Sequence, residues 1–200
     1  MTDMPPYVML DPRVQRTLGL LFTAFTDLLT EKHYRYIKVQ EITKAAKLNR
    51  ATFYHHFQNL DEFIIFCARE GFRRDLVSQF TLATFEYNVA NFKILVKWVL
   101  EFISTNFAQW HYQWDEILFE KAVRIEFYYF LTTWITYPAK KMSKTAFGDT
   151  CALILSSSIV GLGMVWCHNG LIESIDELSD RITEVFRTGF PGLGEHTVAA

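Results

Sequence analysis

Two hundred residues, half of them apolar and 16% aromatic, provide material for a sizeable core in one or two domains and exclude a disordered chain. The formal net charge of −2 excludes a uniformly basic polyanion binder, but the charge is unevenly placed. Residues 1–60 hold eight Lys/Arg against five Asp/Glu and residues 61–200 hold twelve against seventeen, so a +3 head precedes a −5 body.

Residues 1–10 read as a short arm, without the basic start, apolar run and small-residue cleavage site of a secretion signal. Asp11-Pro12 reads as a helix start, with Asp at the N-cap and Pro at the first helical position. Val14, Leu18, Leu21, Phe22, Phe25, Leu28 and Leu29 recur at helical spacing, and the helix is expected to end near Lys32. Arg13 and Arg16 sit in its first turns, against the helix dipole. They are either solvated charges or reach toward a phosphate backbone.

The stretch from Lys38 to Phe63 reads as two short helices joined by a tight turn, followed by the start of another helix. The second helix is expected at Val39 to about Lys47, with Val39, Ile42, Ala45 and Ala46 facing inward. Leu48-Asn49 closes the turn, and Asn49 suits the N-cap of the third helix. Phe53 and Phe57, four apart, anchor one face of that helix, while Arg50, Ala51, Tyr54 and His55 fall on the others. Arg50, Thr52, Tyr54, His55 and His56 are all able to contact phosphates or base edges, the arrangement of a DNA-reading helix-turn-helix. Taken singly they would be ordinary surface residues; the two-helix pattern and the anchored opposite face favour DNA contact. His55 and His56 point about 100° apart on a helix, which disfavours a shared metal ion, and no metal site is expected.

Asn59-x-x-Glu62 resembles a capping box for a fourth helix running to about Gln79, with Phe63, Ile64, Phe66, Cys67, Phe72, Leu76 and Phe80 on its apolar side. The body that follows is helical and aromatic-rich. Apolar positions recur from Phe92 to Phe107, and Asp115 to Tyr137 forms one helix or two before Pro138. Phe147 to Trp166 is nearly all apolar. Thr150 to Ile172 carries no Asp, Glu, Lys or Arg and is long enough to span a bilayer. Its serines, His168, Asn169, Gly170 and the acidic flanks Asp149 and Glu173 favour a buried helix instead, and no membrane partner is expected. His168-Asn-Gly170 ends that helix. Ser174 with Glu177 opens the last one, carried by Ile175, Leu178, Ile182, Val185 and Phe186 and closed by Gly189, Pro191, Gly192 and Gly194. No strand alternation of useful length appears. The fold class is all-α, with an N-terminal helix-turn-helix domain over 1–60 and a larger C-terminal helical domain over 61–200.

Cys67, Cys151 and Cys167 fit neither a disulfide framework nor a metal-ligand spacing and read as buried thiols of a cytoplasmic protein. Trp98, Phe102, Trp110, Tyr128 and Trp134, with Tyr112, Trp114 and Tyr129, either line an effector pocket or form plain core. Such walls suit a small apolar or aromatic effector. Gly161 and Gly163 cost an apolar helix about 1 kcal/mol each. Close approach of a partner helix, the same helix of a second subunit, offsets that; the alternative is a kinked buried helix within one chain. His111, Asp115, Glu116 and Glu120 lie close in sequence but supply no nucleophile–base–orienter set, so no enzyme and no cofactor are expected.

From Ile42 to Phe63 the sequence resembles the TetR/AcrR family of bacterial transcription regulators. The resemblance is carried by Val39-x-x-Ile42, Ala45-Ala46, the run Leu48-Asn49-Arg50-Ala51-Thr52-Phe53-Tyr54-His55-His56-Phe57, and Asp61-x-Phe63. Asp11-Pro-Arg13-Val-Gln-Arg16-Thr17 is similar to a start seen in part of the family, so the likeness covers about residues 11–66. It implies a dimer whose small head binds DNA and whose body binds a small effector and dimerises through its last two helices. By position, Arg50, Ala51 and His55 would face base edges, and Tyr54 and His56 would touch phosphates. Thr17, Lys38, Gln40, Asn49 and Thr52 would add contacts. The interface between subunits would take Ile154, Ser158, Gly161 and Val165 from the penultimate helix and Leu178, Ile182 and Val185 from the last. The function implied is that of a sequence-specific transcriptional regulator of double-stranded DNA, an effector-released repressor acting as a homodimer on a palindromic operator. The alternative is a protein-interaction co-regulator on the same fold with weak or partner-dependent DNA binding. Three positions depart from the family pattern. Lys38 stands where Ser or Thr usually caps the second helix. Lys47 stands where the turn has Gly, and needs a left-handed backbone. Leu60 stands where a Lys meets phosphate.

Overall fold

The computed structural model describes residues 11–82, 84–113, 115–136 and 146–189 and, apart from 108–113, 136 and 189, their side chains. The N-terminal arm, Pro138, Trp114, Pro191, Gly192, Gly194 and the side chains of Trp110, His111 and Tyr112 lie outside the described residues. Asp11 accepts a hydrogen bond from the Arg13 backbone N–H at 2.8 Å and Pro12 opens the first turn, so α1 begins where the sequence places it and runs Pro12–Glu31. A 3-10 turn, Tyr34–Tyr36, leads to α2 (Val39–Ala45), α3 (Arg50–His56) and α4 (Leu60–Gln79). The body is α5 (Val89–Gln113), α6 (Glu116–Thr136), α7 (Ala146–His168) and α8 (Ile175–Gly189). No strand occurs among the described residues. The stretch from Asp115 is thus one helix.

Two hydrophobic clusters form, and α4 belongs to both. The head cluster joins Leu18, Leu21 and Phe25 of α1, Ile42 of α2, Phe53 of α3 and Phe57 to Phe63, Ile64 and Cys67 of α4. The Phe63 ring is its hub, with centroids 5.3 Å from Phe25, 5.2 Å from Phe53 and 5.0 Å from Phe57, all edge-to-face. Two turns further along, Phe72 and Leu76 enter the body cluster with residues of α5, α6, α7 and α8. Helix α6 reaches the other way: Ala122 is fully buried in the head cluster and Leu118 packs against it.

Charged groups line the same junction. The Glu70 carboxylate, 3% exposed, accepts from Arg73 at 2.8 Å and Arg74 at 2.7 Å, both on its own helix. The Arg74 guanidinium lies 4.5 Å over the ring of Phe22 in α1. Arg69 pairs with Glu126 of α6 at 3.1 Å, and its guanidinium lies 5.5 Å over the Tyr129 ring. Burial pushes the Glu126 carboxyl above the usual carboxylate range, and Arg69 opposes that shift.

Three local expectations change. Ala45 is exposed: the buried positions of α2 are Ile42 and Thr43, with Ala46 buried at its C-cap, and Ala45 points away from them. Glu62 completes its cap through the Gln58 N–H at 2.8 Å, while Asn59 accepts from the Glu62 N–H at 2.9 Å. Gly163 meets a helix of its own chain: a Cβ there would stand 2.9 Å from Ile103 Cδ1 and 3.2 Å from Leu100 Cδ2 of α5, whereas Gly161 has nothing within 4 Å. Helix α7 is long and apolar enough to cross a membrane by length and composition, and half of its most apolar window is buried in the body.

Phe63→Ala removes the ring shared by α1, α3, Phe57 and α4. It should lower unfolding free energy by about 3–5 kcal/mol in denaturant titration; a loss under about 1 kcal/mol contradicts the hub role.

Candidate nucleic-acid interface

Helix α3 has one face that cannot move. Phe53 and Phe57 are 0% and 1% exposed, and each is locked by rings on both sides. The other faces are therefore held outward in fixed register. Arg50, Ala51, Tyr54 and His55 are exposed, and Thr52 and His56 are half-buried. Arg50 Nη2 donates to the Tyr54 hydroxyl at 3.2 Å, and its guanidinium lies 5.4 Å from the centre of the Tyr54 ring. The two side chains form one preorganised unit one turn apart, a basic fork backed by an aromatic plane. Asn49 accepts from the Ala51 N–H at 2.8 Å and fixes the start of the helix.

The turn that sets α3 against α2 is a complete Schellman motif. The Leu48 N–H donates to Thr43 O at 2.8 Å and the Lys47 N–H to Lys44 O at 3.1 Å. The left-handed position of that motif is Lys47, at φ 56. The backbone demanded by the turn is adopted although the side chain disfavours it, and a cation projects where glycine would leave nothing. At the start of α2, the Lys38 N–H donates to Glu41 Oε2 at 2.9 Å. An ammonium group cannot accept a hydrogen bond, so only this half of the capping box forms.

The remaining sequence candidates distribute as follows. Lys38 and Gln40 are exposed at the start of α2. Thr17 is half-buried and its hydroxyl donates to Arg13 O at 3.0 Å, within its own helix. Leu60 packs against the head cluster. Two residues that the motif reading did not single out are Arg35 and Tyr36, both exposed in the turn just before Lys38, Tyr36 at 73%. Their signal was the basic and aromatic run His33-Tyr34-Arg35-Tyr36.

In the body, the described pocket candidates Trp98, Phe102, Tyr128 and Trp134 do not line one groove together. Trp98 and Phe102 stack on each other, and both rings pack at an angle against Phe72. Trp134 is 1% exposed and its indole N–H donates to Phe85 O at 2.7 Å. Tyr128 packs against the same body cluster and also lines a groove between α6 and α7. Of the interface candidates, Ile154, Val165 and Val185 are exposed and Ser158 and Gly161 half-exposed, while Leu178 and Ile182 are buried in the core of their own chain. Among the described residues no group of three His, Cys, Asp or Glu side chains is placed to hold a metal ion.

A three-helix head with a fixed, outward-facing third helix carrying a basic fork defines the helix-turn-helix class of DNA-binding domain. Residues 22–65 match the family of bacterial regulatory proteins described as the tetR family. It is 39% identical over 72 residues to the transcriptional regulator AcuR of Cereibacter sphaeroides, covering 32% of this chain and 33% of that one. It is 40% identical over 48 residues to the dhaKLM operon transcriptional activator DhaS of Lactococcus lactis, covering 24% and 26%. The chain thus spans a third or less of the length of these curated relatives. Over nearly the whole length the fold is that of the fatty acid degradation regulator FadR from Bacillus halodurans, with a TM-score of 0.50, 14% identity and coverage of 88% and 96%.

Burial, and then the neighbouring His55, hold the His56 imidazole below the ordinary histidine range. The unfolded chain protonates that ring first, so its contribution to stability is full above about pH 6.5 and is lost as the pH falls toward the lower folded value. The thermal midpoint should drop between about pH 7 and about pH 5.5, and drop less in His56→Gln; identical profiles contradict the assignment.

Proposed function

We propose that the protein is a sequence-specific DNA-binding transcriptional regulator that works as a homodimer on a palindromic operator and is released by a small effector. The observation that carries this reading is the Arg50–Tyr54 unit on a recognition helix whose opposite face is immobilised by Phe53 and Phe57. Arg50, Ala51 and His55 would read base edges in the major groove, and Tyr54, His56, Asn49 and Thr52 would fix the helix against phosphates. Lys38, Gln40 and Thr17 would extend the phosphate contacts, and Lys47 adds charge in the turn. A 1–60 head and a 61–200 body are the two working parts, with α4 common to both cores.

The dimer reading is supported by apolar side chains left exposed on the last two helices. Ile154, Leu162 and Val165 lie on the outside of α7, with Ile172 and Val185 nearby in sequence on the following loop and α8. Leu162, Val165 and Ile172 border an open hollow of about 470 Å³ between α7 and α8. Gly161, on the same helix, has room for a partner helix to approach. A two-fold axis through this face would pair the two α7 and α8 helices and present two recognition helices. An effector acts by preferring the body state whose head spacing mismatches the operator. Repression by occupancy is the sign we propose, and the relative named as an activator makes that sign an explicit part of the test.

Gel retardation with DNA from upstream of the protein's own gene should give a saturable complex, and transcription of a reporter should rise when the gene is deleted. No sequence-selective complex with any fragment at modest salt removes the reading; a fall in reporter transcription reverses the sign. Selection of bound fragments with Arg50→Ala should lose about 1–3 kcal/mol of preference at one base pair per half-site. Lys38→Ala should instead weaken all fragments alike and reduce the salt slope by about one. Val165→Glu should convert the dimer to monomer in sedimentation velocity with helical content unchanged; an unaltered dimer places the interface elsewhere.

A further inference from the structure

Helices α6 and α7 enclose a groove of about 340 Å³ on the opposite side of α6 from its packed core residues. That volume falls in the range of small-molecule sites. Its α6 wall carries two cations one turn apart, Lys121 and Arg124, followed by the rings of Tyr128 and Tyr129. Leu153 and Ile125 supply the apolar floor. The Nε of Arg124 is buried and has no hydrogen-bond acceptor among the described residues. The Arg124 side chain is half-buried and lines the groove, so its guanidinium is available to an anion bound there. Asp149 stands on the facing α7 wall and repels a second negative charge. The hydroxyls of Thr150 and Ser156, also in the groove, donate to carbonyls of their own helix, at 2.7 Å and 3.2 Å.

The groove also touches the parts that carry the head. Tyr129 stacks under the Arg69 guanidinium of α4, and Arg69 pairs with Glu126 on the same α6. Ala122, two residues before Arg124, is buried in the head cluster.

We propose that this groove is the effector site and that its ligand is an aromatic monoanion, the anion held by Arg124 and Lys121 and the ring lying against Tyr128 and Tyr129. The assignment rests on the effector-released regulator reading and gives that effector its chemical class. Occupancy moves α6 against α4 and so reorients the head.

Calorimetric titration of the whole chain with 2-naphthoate and with its neutral isostere 2-naphthamide tests the site. Naphthoate should bind saturably and naphthamide about tenfold more weakly or worse, the size of one charge-assisted hydrogen bond. Arg124→Gln should weaken naphthoate by about tenfold and leave naphthamide unchanged. Leu153→Trp should block both by filling the groove, and Lys121→Gln serves as the charge variant if Arg124→Gln does not fold. Equal affinity for acid and amide, naphthoate binding indifferent to these substitutions, or no saturable uptake of naphthoate overturns the site. Naphthoate binding that leaves operator affinity unchanged overturns its effector role. Retardation of operator DNA without ligand is scored separately: a chain that binds DNA but ignores naphthoate loses only the groove assignment, and one that binds naphthoate but no DNA loses the regulator reading.

Discussion

The packing of α4 into two hydrophobic clusters is the constraint on which the rest of the structure depends. Its first turns hold the head together through Phe63, and its later turns close the body through Phe72 and Leu76. A helix of 20 residues behaves as a stiff rod about 30 Å long, so neither cluster shifts along it without disturbing the other. The side chains between the two clusters are not spare: Glu70, Arg73, Arg74 and Arg69 tie the rod to itself, to α1 and to α6. Glu70 is nearly fully buried and satisfied by two guanidinium groups, the arrangement in which a buried charge is tolerated rather than expelled.

From this constraint follows the fixed face of α3. A helix of 7 residues has little stability of its own. It exists because Phe53 and Phe57 are gripped by the head cluster and because Asn49 caps its start. What remains free to touch another molecule is whatever the sequence places on the opposite faces, and there it places Arg50, Tyr54 and His55. The turn before it makes the same point: the Schellman hydrogen bonds hold Lys47 in a left-handed conformation that its side chain resists, because moving α2 relative to α3 would unmake the cluster.

Much of this was legible in the sequence, for identifiable reasons. The caps at Asp11, Asn49 and Ser174 are local chemistry, readable from a few neighbouring residues, and each is found in place. The left-handed Lys47 followed from the family resemblance, which has Gly at that place in the turn. Residues 92–136 were harder, because apolar positions on two overlapping faces do not reveal which neighbour each face meets. Trp134 illustrates this: a large aromatic at helical spacing is equally compatible with a pocket wall and with a filled core, and only the Phe85 carbonyl bonded to its indole settles that it is packed. Gly163 was readable as a close-approach site but not as one made with α5, since a glycine does not name its partner. The cations of the α6–α7 groove left no periodic signal, because their meaning comes from a second helix that brings Asp149 and Leu153 opposite them.

Head and body are one mechanical unit joined by α4. Native-state amide hydrogen exchange on Leu95→Ala, which opens a cavity at a fully buried position of α5 far along the chain from the head, tests it most directly. If α4 couples the clusters, the amides of Leu21 and Phe25 in α1 and of Ile64 to Ala68 in α4 lose protection together with those of α5. Faster exchange in α5 with the α1 and α4 amides unchanged contradicts the account, because the head would then be folding without reference to the body.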